Sequence, residues 1–239
     1  MKRIWIPAAI LILALTVTAL NRARIQSASN TRMPGLMSER QNYIIDAGHG
    51  GADGGAVADG VVEAEINLDI ALKLDSIMAL FGFRTVMTRD SPDIDYPENA
   101  TTLRKMKNAD SKARRALIQT TSNAVLISIH QNKYQSPEAN GIRVFYAAYS
   151  SSKELADRVT DALNRAVAAQ RTYPSAQIGS DIYLMKQTNC PAILIECGFI
   201  SNPSERDKLQ TAEYQIKIAA GIMNGITSVS AAGKLSEIT

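Results

Sequence analysis

Reactive side chains are scarce in this sequence. It holds two histidines, two cysteines and one tryptophan, and aromatic residues make up only 5% of it. Two cysteines do not make a disulfide scaffold. Cys190 and Cys197 bracket the apolar run "PAILIE"; seven residues of extended chain place their α-carbons roughly 23 Å apart, whereas a disulfide needs about 4.4–6.8 Å. Both therefore read as small buried apolar residues. No "CxxC" and no "HExxH" occurs, so any metal site has to be assembled from dispersed positions. Internal repeats and low-complexity blocks are also missing.

An excess of charge is absent as well. The net charge is +3, but Lys2, Arg3, Arg22 and Arg24 flank an N-terminal apolar run, and no acid occurs before Glu39. Setting those four aside leaves 22 basic against 23 acidic side chains. Such a balance gives no electrostatic footprint for nucleic acid. The run itself, Ile4 to Leu20, is longer than a usual signal-peptide core and sits at the lower limit for a membrane span. Residues 1–24 read as a signal peptide or an N-terminal membrane anchor, with export across the cytoplasmic membrane either way. Residues 25–41 form a polar linker, 42–228 a single folded domain, and 229–239 a flexible tail.

Within the domain, short apolar runs alternate with amphipathic segments. "YIID" (43–46), "RTVMT" (84–88), "AVLISIH" (124–130), "GIRVFYA" (141–147), "DIYLM" (181–185) and "AILIE" (192–196) read as strands. Helices are expected from Glu63 to Phe81, with Ile66, Ile70, Leu74, Ile77 and Met78 at helical spacing, and over 103–121, 153–169 and 205–226. This alternation argues for an α/β domain with a mostly parallel twisted sheet flanked by helices.

The glycine-rich stretch "IIDAGHGGADGG" (44–55) raises the question of a phosphate cradle, and required residues are missing. A dinucleotide fingerprint starting at Gly48 and Gly50 needs glycine where Asp53 stands. A P-loop starting at Gly50 needs lysine where Ala56 stands. A different pattern is present instead. The first strand runs into His49, the third ends at His130, and "AILIE" ends at Glu196. Ligands of open α/β sheets bind outside the carboxyl ends of the strands, so parallel strands would converge these three side chains. A catalytic zinc site takes three protein ligands, with two histidines and a glutamate among the known sets. Glu63 and Glu65 stand where the first helix begins, and Glu65 is also placed to favour the helix dipole. Glu63 is thus the expected third ligand, and Glu196 is left to act as general base.

Taken together, "IIDAGHGGADGGA", "VVEAEINLDIALKL", "VLISIHQN" and "PAILIECGFISNPSE" resemble, in order and over nearly the whole domain, the zinc-dependent N-acetylmuramoyl-L-alanine amidases of type 3. The likeness is greatest to the germination-specific amidases of spore formers. The resemblance implies a cell-wall hydrolase with Zn2+ held by His49, Glu63 and His130, and Glu196 as the catalytic carboxylate. It implies peptidoglycan as the partner, in the cell wall or spore cortex space, and leaves room for an accessory envelope protein. Ala47 departs from the family's usual proline without removing a ligand. The alternatives are a zinc peptidase acting on wall peptides and a non-catalytic peptidoglycan-binding protein.

Around this core, Asn132 is expected to orient the His130 loop. Arg89 is expected to hold Glu63 or a substrate carboxylate, or else to form a structural ion pair. The basic run Arg104, Lys105, Lys107, Lys112, Arg114 and Arg115 reads as a solvated helix face. Tyr134, Tyr146 and Tyr149 are candidates for a glycan groove or for plain packing.

Overall fold

The computed structural model describes residues 41–179, 182–186 and 188–231. The segment assigned to a leader or anchor, and the linker up to residue 40, lie outside the described residues. Among those described, no helix is long and apolar enough to cross a membrane.

A six-stranded sheet runs in the order β4-β1-β5-β8-β6-β7. Its strands are β1 (Asn42–Ala47), β4 (Arg84–Met87), β5 (Ala124–Asn132), β6 (Arg143–Tyr146), β7 (Ala176–Gln177) and β8 (Ala192–Phe199). Two short strands, β2 (Val57–Ala58) and β3 (Val61–Val62), pair separately as a hairpin. Strands β4, β1, β5 and β8 are mutually parallel, whereas β6 runs antiparallel to β8 and carries β7 parallel to itself. The flanking helices are α1 (Glu63–Leu80), α2 (Leu103–Thr120), α3 (Ser152–Ala166), α4 (Pro203–Leu209) and α5 (Ala212–Ala231).

The three central strands are near-continuous apolar runs because both faces of the sheet are covered. One face carries Ile45, Ile127 and Ile193 into the larger core, with Ile70 and Leu74 of α1, Val159 of α3 and Ile222 of α5. The other carries Ile44, Leu126 and Leu194 into a smaller cluster with Ile118 of α2. Along that second face, the residues two further on are Asp46, Ser128 and Glu196, and His130 follows Ser128. The smaller core therefore turns polar towards the carboxyl ends of the strands. That is the position of the site.

Several sequence expectations are corrected. "DIYLM" forms no strand over its described part: backbone bonds from Met185 and Lys186 back to the Ile182 carbonyl make it a turn. Only part of its apolar run is buried: Met185 is, while Ile182 and Tyr183 are exposed. Phe81, placed on the buried stripe of the first helix, lies past its end and is 60% exposed. The helix expected over 153–169 stops at Ala166, and Ala168 takes a positive φ of 49°. The last helix continues to Ala231 with Val229 buried, three residues into the stretch read as a tail.

Candidate active site

His49 sits just beyond β1 with a φ of 60°, the left-handed region that few non-glycine residues occupy. Two buried arginines fix this conformation. Arg89 donates from Nε to the carbonyls of Ala47 (3.0 Å) and His49 (2.7 Å), and from NH2 to those of Gly48 (3.2 Å) and Ala64 (2.7 Å). Arg114, from α2, donates to the Ala47 and His49 carbonyls at 2.7 and 2.6 Å and pairs with buried Asp46 at 2.7 Å. A strained turn persists only where its surroundings over-determine it, and here two guanidinium forks clamp one peptide loop. Like-charged neighbours in a buried place are costly: burial, then Arg114, pulls Arg89 down to about 10. Asp46 and Asp110 offset the cost for Arg114, whose pKa is raised despite burial.

The second donor enters from α1. Glu63 opens that helix and is 3% exposed, while Glu65 faces solvent. Glu63 Oε2 accepts from the Ala56 N–H at 2.8 Å; Oε1 accepts from the Gln131 N–H at 3.1 Å and from Asn67 Nδ2 at 3.3 Å. His130, on β5, places Nδ1 3.0 Å from Glu63 Oε1, and His49 places Nε2 3.4 Å from the same oxygen. One nitrogen of each imidazole and one oxygen of Glu63 all lie within 4.8 Å of one another. The two rings meet edge to face, with centroids 5.0 Å apart. Glycine is required on both sides of this cluster: a Cβ on Gly48 would strike the His130 ring, and one on Gly55 would lie 2.6 Å from Glu63 Oε2 and 2.7 Å from His49 Cδ2.

The outer nitrogen of His49, Nδ1, lies 2.8 Å from Asp53 Oδ2. Asp53 is held in turn by the Gly55 N–H at 3.2 Å and by Lys107 of α2 at 3.1 Å. In the neutral ring this arrangement puts the Nδ1 proton toward Asp53 and turns the lone pair of Nε2 toward Glu63. Burial lowers the His49 pKa, but the Glu63 and Asp53 carboxylates outweigh it and hold the ring at about 8. Glu63 is the converse case. Burial opposes its charge, yet the two imidazoles keep it well below the ordinary carboxylate range.

Glu196 differs from these. The sheet register sets it directly beside His130 on the neighbouring strand, with its side chain on the same face. Its Oε2 is buried and has no hydrogen-bond partner among the described residues. Burial pushes its pKa up to about 7, against the pull of His130. A carboxyl group that titrates near neutrality beside an anionic one is the usual division of labour between a proton carrier and a fixed ligand.

The structure thus brings His49, Glu63, His130 and Glu196 together. It treats the outer residues otherwise. Among the described residues Arg89 hydrogen-bonds neither Glu63 nor any other carboxylate; it binds main-chain carbonyls. Asn132 sits past an irregularity in the β5 ladder and is tied through its carbonyl to the Ile200 N–H at 2.9 Å, so the contacts steadying the cluster come from Gln131 and Asn67. These two are themselves joined at 3.1 Å, and Asn67 also reaches the Gly48 carbonyl at 3.0 Å. Arg114 and Lys107, read as part of a solvated face, both serve the site. The signal for Arg114 was Asp46, an acid within a strand that is buried on both faces and needs a cation.

The fold and site define a class: an α/β enzyme with a dispersed two-imidazole, one-carboxylate cluster and a free acid beside it at the strand ends. The model of the N-acetylmuramoyl-L-alanine amidase family matches residues 44–228, and the chain belongs to that family. It is 35% identical over 183 residues, 76% of each chain, to the germination-specific N-acetylmuramoyl-L-alanine amidase of Bacillus subtilis (strain 168). Among solved structures it resembles the CwlD amidase from Clostridioides difficile, determined in complex with the GerS lipoprotein. That likeness has a TM-score of 0.76 and 36% identity, and covers 79% of this chain and 97% of that one. The catalytic domain of CwlV from Bacillus (Paenibacillus) polymyxa var. colistinus matches with a TM-score of 0.67 and 29% identity over 79% and 97%. The chain is therefore a peptidoglycan amidase, which sets aside the non-catalytic alternative.

Proposed function

We propose that this enzyme cleaves the amide joining the lactyl group of N-acetylmuramic acid to L-alanine of the stem peptide, with zinc held by His49, Glu63 and His130. The donor set supports a zinc-sized, borderline-soft cation: two imidazoles and one carboxylate, converging within 4.8 Å, match a known catalytic set that keeps one position open. The backbone supports it too, because a Cβ at Gly48 or Gly55 would push the His130 ring, or the His49 and Glu63 side chains, out of their converging positions. When bound, the cation supplies Lewis acidity toward the scissile carbonyl and toward water.

The chain's own residues do the rest. Glu196 takes a proton from the attacking water and delivers it to the leaving amine nitrogen, so that water and amide become a carboxylic acid and a free amine. Its unpartnered buried oxygen is the single observation that carries this role. Asp53 holds the His49 tautomer, and Asn67, Gln131 and the Ala56 N–H hold the Glu63 carboxylate. Digestion of purified sacculi tests the bond. Mass spectrometry is expected to find intact stem peptides and bare muramic acid; peptides cut internally would instead indicate the wall peptidase.

The germination-specific relative supports a role in the spore cortex, where bare muramic acid is the precursor of muramic δ-lactam. Disruption of the gene is expected to remove cortex lactam, and unchanged lactam would defeat this assignment. The apolar run from Ile4 to Leu20 supports export to the wall or cortex space, and the GerS complex of the relative supports an accessory envelope lipoprotein.

A further inference from the structure

The row that contains His130 and Glu196 has a third member. In the β6–β8 ladder, Arg143 is the direct partner of Glu196, as His130 is on the other side. Partners in register share a face, and neighbouring strands lie about 4.8 Å apart. Arg143 therefore stands one strand beyond the proton carrier and two beyond the imidazole, on the same face.

Its surroundings are built rather than incidental. The guanidinium lies 4.6 Å from the Tyr173 ring centroid, and Arg171 lies 5.0 Å from that same ring. Gly141 lets the 171–173 segment settle there, since a Cβ at that glycine would lie 2.9 Å from the Arg171 carbonyl and 3.1 Å from the Tyr173 ring. Stacking on the ring orients each planar fork while leaving its N–H donors free for a ligand. Neither guanidinium has an ion-pair partner among the described residues. They open on a groove of about 530 Å³, whose wall also includes Tyr134, Asn132 and one acid, Glu138. Two cations and one anion line the groove, and Glu196 stands beside Arg143 on the next strand.

We infer that Arg143, with Arg171 beside it, is a carboxylate-binding subsite that reads a free carboxylate on the peptide side of the scissile amide. The inference rests on the amidase reading above and adds which substrates the enzyme prefers. The spacing suits it: an extended peptide advances at most about 3.6 Å per residue, so a carboxylate one or two residues beyond the cut bond reaches a group one strand from Glu196. A guanidinium fork pairs bidentately with a carboxylate and loses that pairing with a carboxamide.

Two stem peptides test this, identical except that the acid of the second residue is free in one and amidated in the other. Calorimetric binding of each to the zinc-loaded enzyme reads recognition without turnover. The wild type is expected to bind the free acid at least tenfold more tightly, Arg143→Gln to abolish that ratio, and Arg143→Lys to restore it only in part. In turnover of muramoyl-peptides carrying the same pair, Arg143→Gln should act chiefly on KM for the free-acid substrate. Arg84→Gln, at the opposite ends of the parallel strands, serves as the charge-matched control and should keep the wild-type ratio. Equal binding of both peptides by the wild type would overturn the inference, as would an equal loss on both in Arg143→Gln. Peptide discrimination without release of bare muramic acid from sacculi would keep the subsite and overturn the amidase reading instead.

Discussion

The two sides of the cluster are built on opposite plans. On the His49 side, every group that faces the cluster has at least one further partner. The His49 carbonyl accepts from two arginines, its Nδ1 meets Asp53, and Glu63 accepts three N–H bonds. On the Glu196 side the carboxylate has a buried oxygen with nothing to bond. Groups that must hold still are over-constrained, because a ligand site loosened by an ångström loses its grip. On the proposed mechanism Glu196 must gain and lose a proton, and it is buried with no hydrogen bond to its Oε2, which brings its pKa to about 7 against the pull of His130. The division follows from the register: the first strand ends in a loop that other elements can clasp, whereas Glu196 lies within β8 and its flanks are strands.

Three substitutions probe that contrast. Glu196→Gln should lower turnover by about 10²–10⁴-fold while metal content stays at the wild-type level; wild-type turnover would remove Glu196 from the mechanism. Arg114→Met leaves Asp46 buried without its cation and should cost about 3–5 kcal/mol in urea unfolding; a loss under 1 kcal/mol would mean the clamp is not structural. Asp53→Asn should weaken zinc binding about 10–100-fold, read by chelator competition, with little change in the unfolding midpoint.

The smallest effect expected is a change in the pH slope of stability. In the wild type, burial raises the Asp46 pKa, but Arg114 and Ser128 outweigh it and hold it below the ordinary value. Its contribution is thus present above about pH 4 and lost as the pH falls through the folded value. With Arg114→Met, burial is opposed only by Ser128, Thr88 and His130, the folded pKa rises, and the acid-side slope that Asp46 contributes weakens, by at most about 1.4 kcal/mol per unit for one proton. Denaturation curves between pH 3 and 8 read both slopes, and parallel curves would contradict the pairing.

Much of this site was legible because apolar strands announce where they stop. His49, His130 and Glu196 each follow a run that only a buried strand explains, and parallel strands converge such positions. Glu63 was legible as the carboxylate at a helix start. The supporting residues were less so. Arg114 lies four residues before Ile118, on the one face of α2 that packs, yet in a run of six basic residues nothing in the charge pattern singles it out. Asn67, one turn after Glu63, repeats the case for a polar residue among apolar neighbours. Sequence also missed β7, which is only two residues long, and read a turn at 182–186 as a strand because a short apolar run is common to both.

Zinc stoichiometry in the purified domain and its variants tests the central claim most directly. One equivalent should be bound by the wild type and by Glu196→Gln, and the grip should be lost in His49→Ala, Glu63→Gln and His130→Ala. No bound zinc in the wild type, or one full equivalent retained by all three ligand variants, would contradict it.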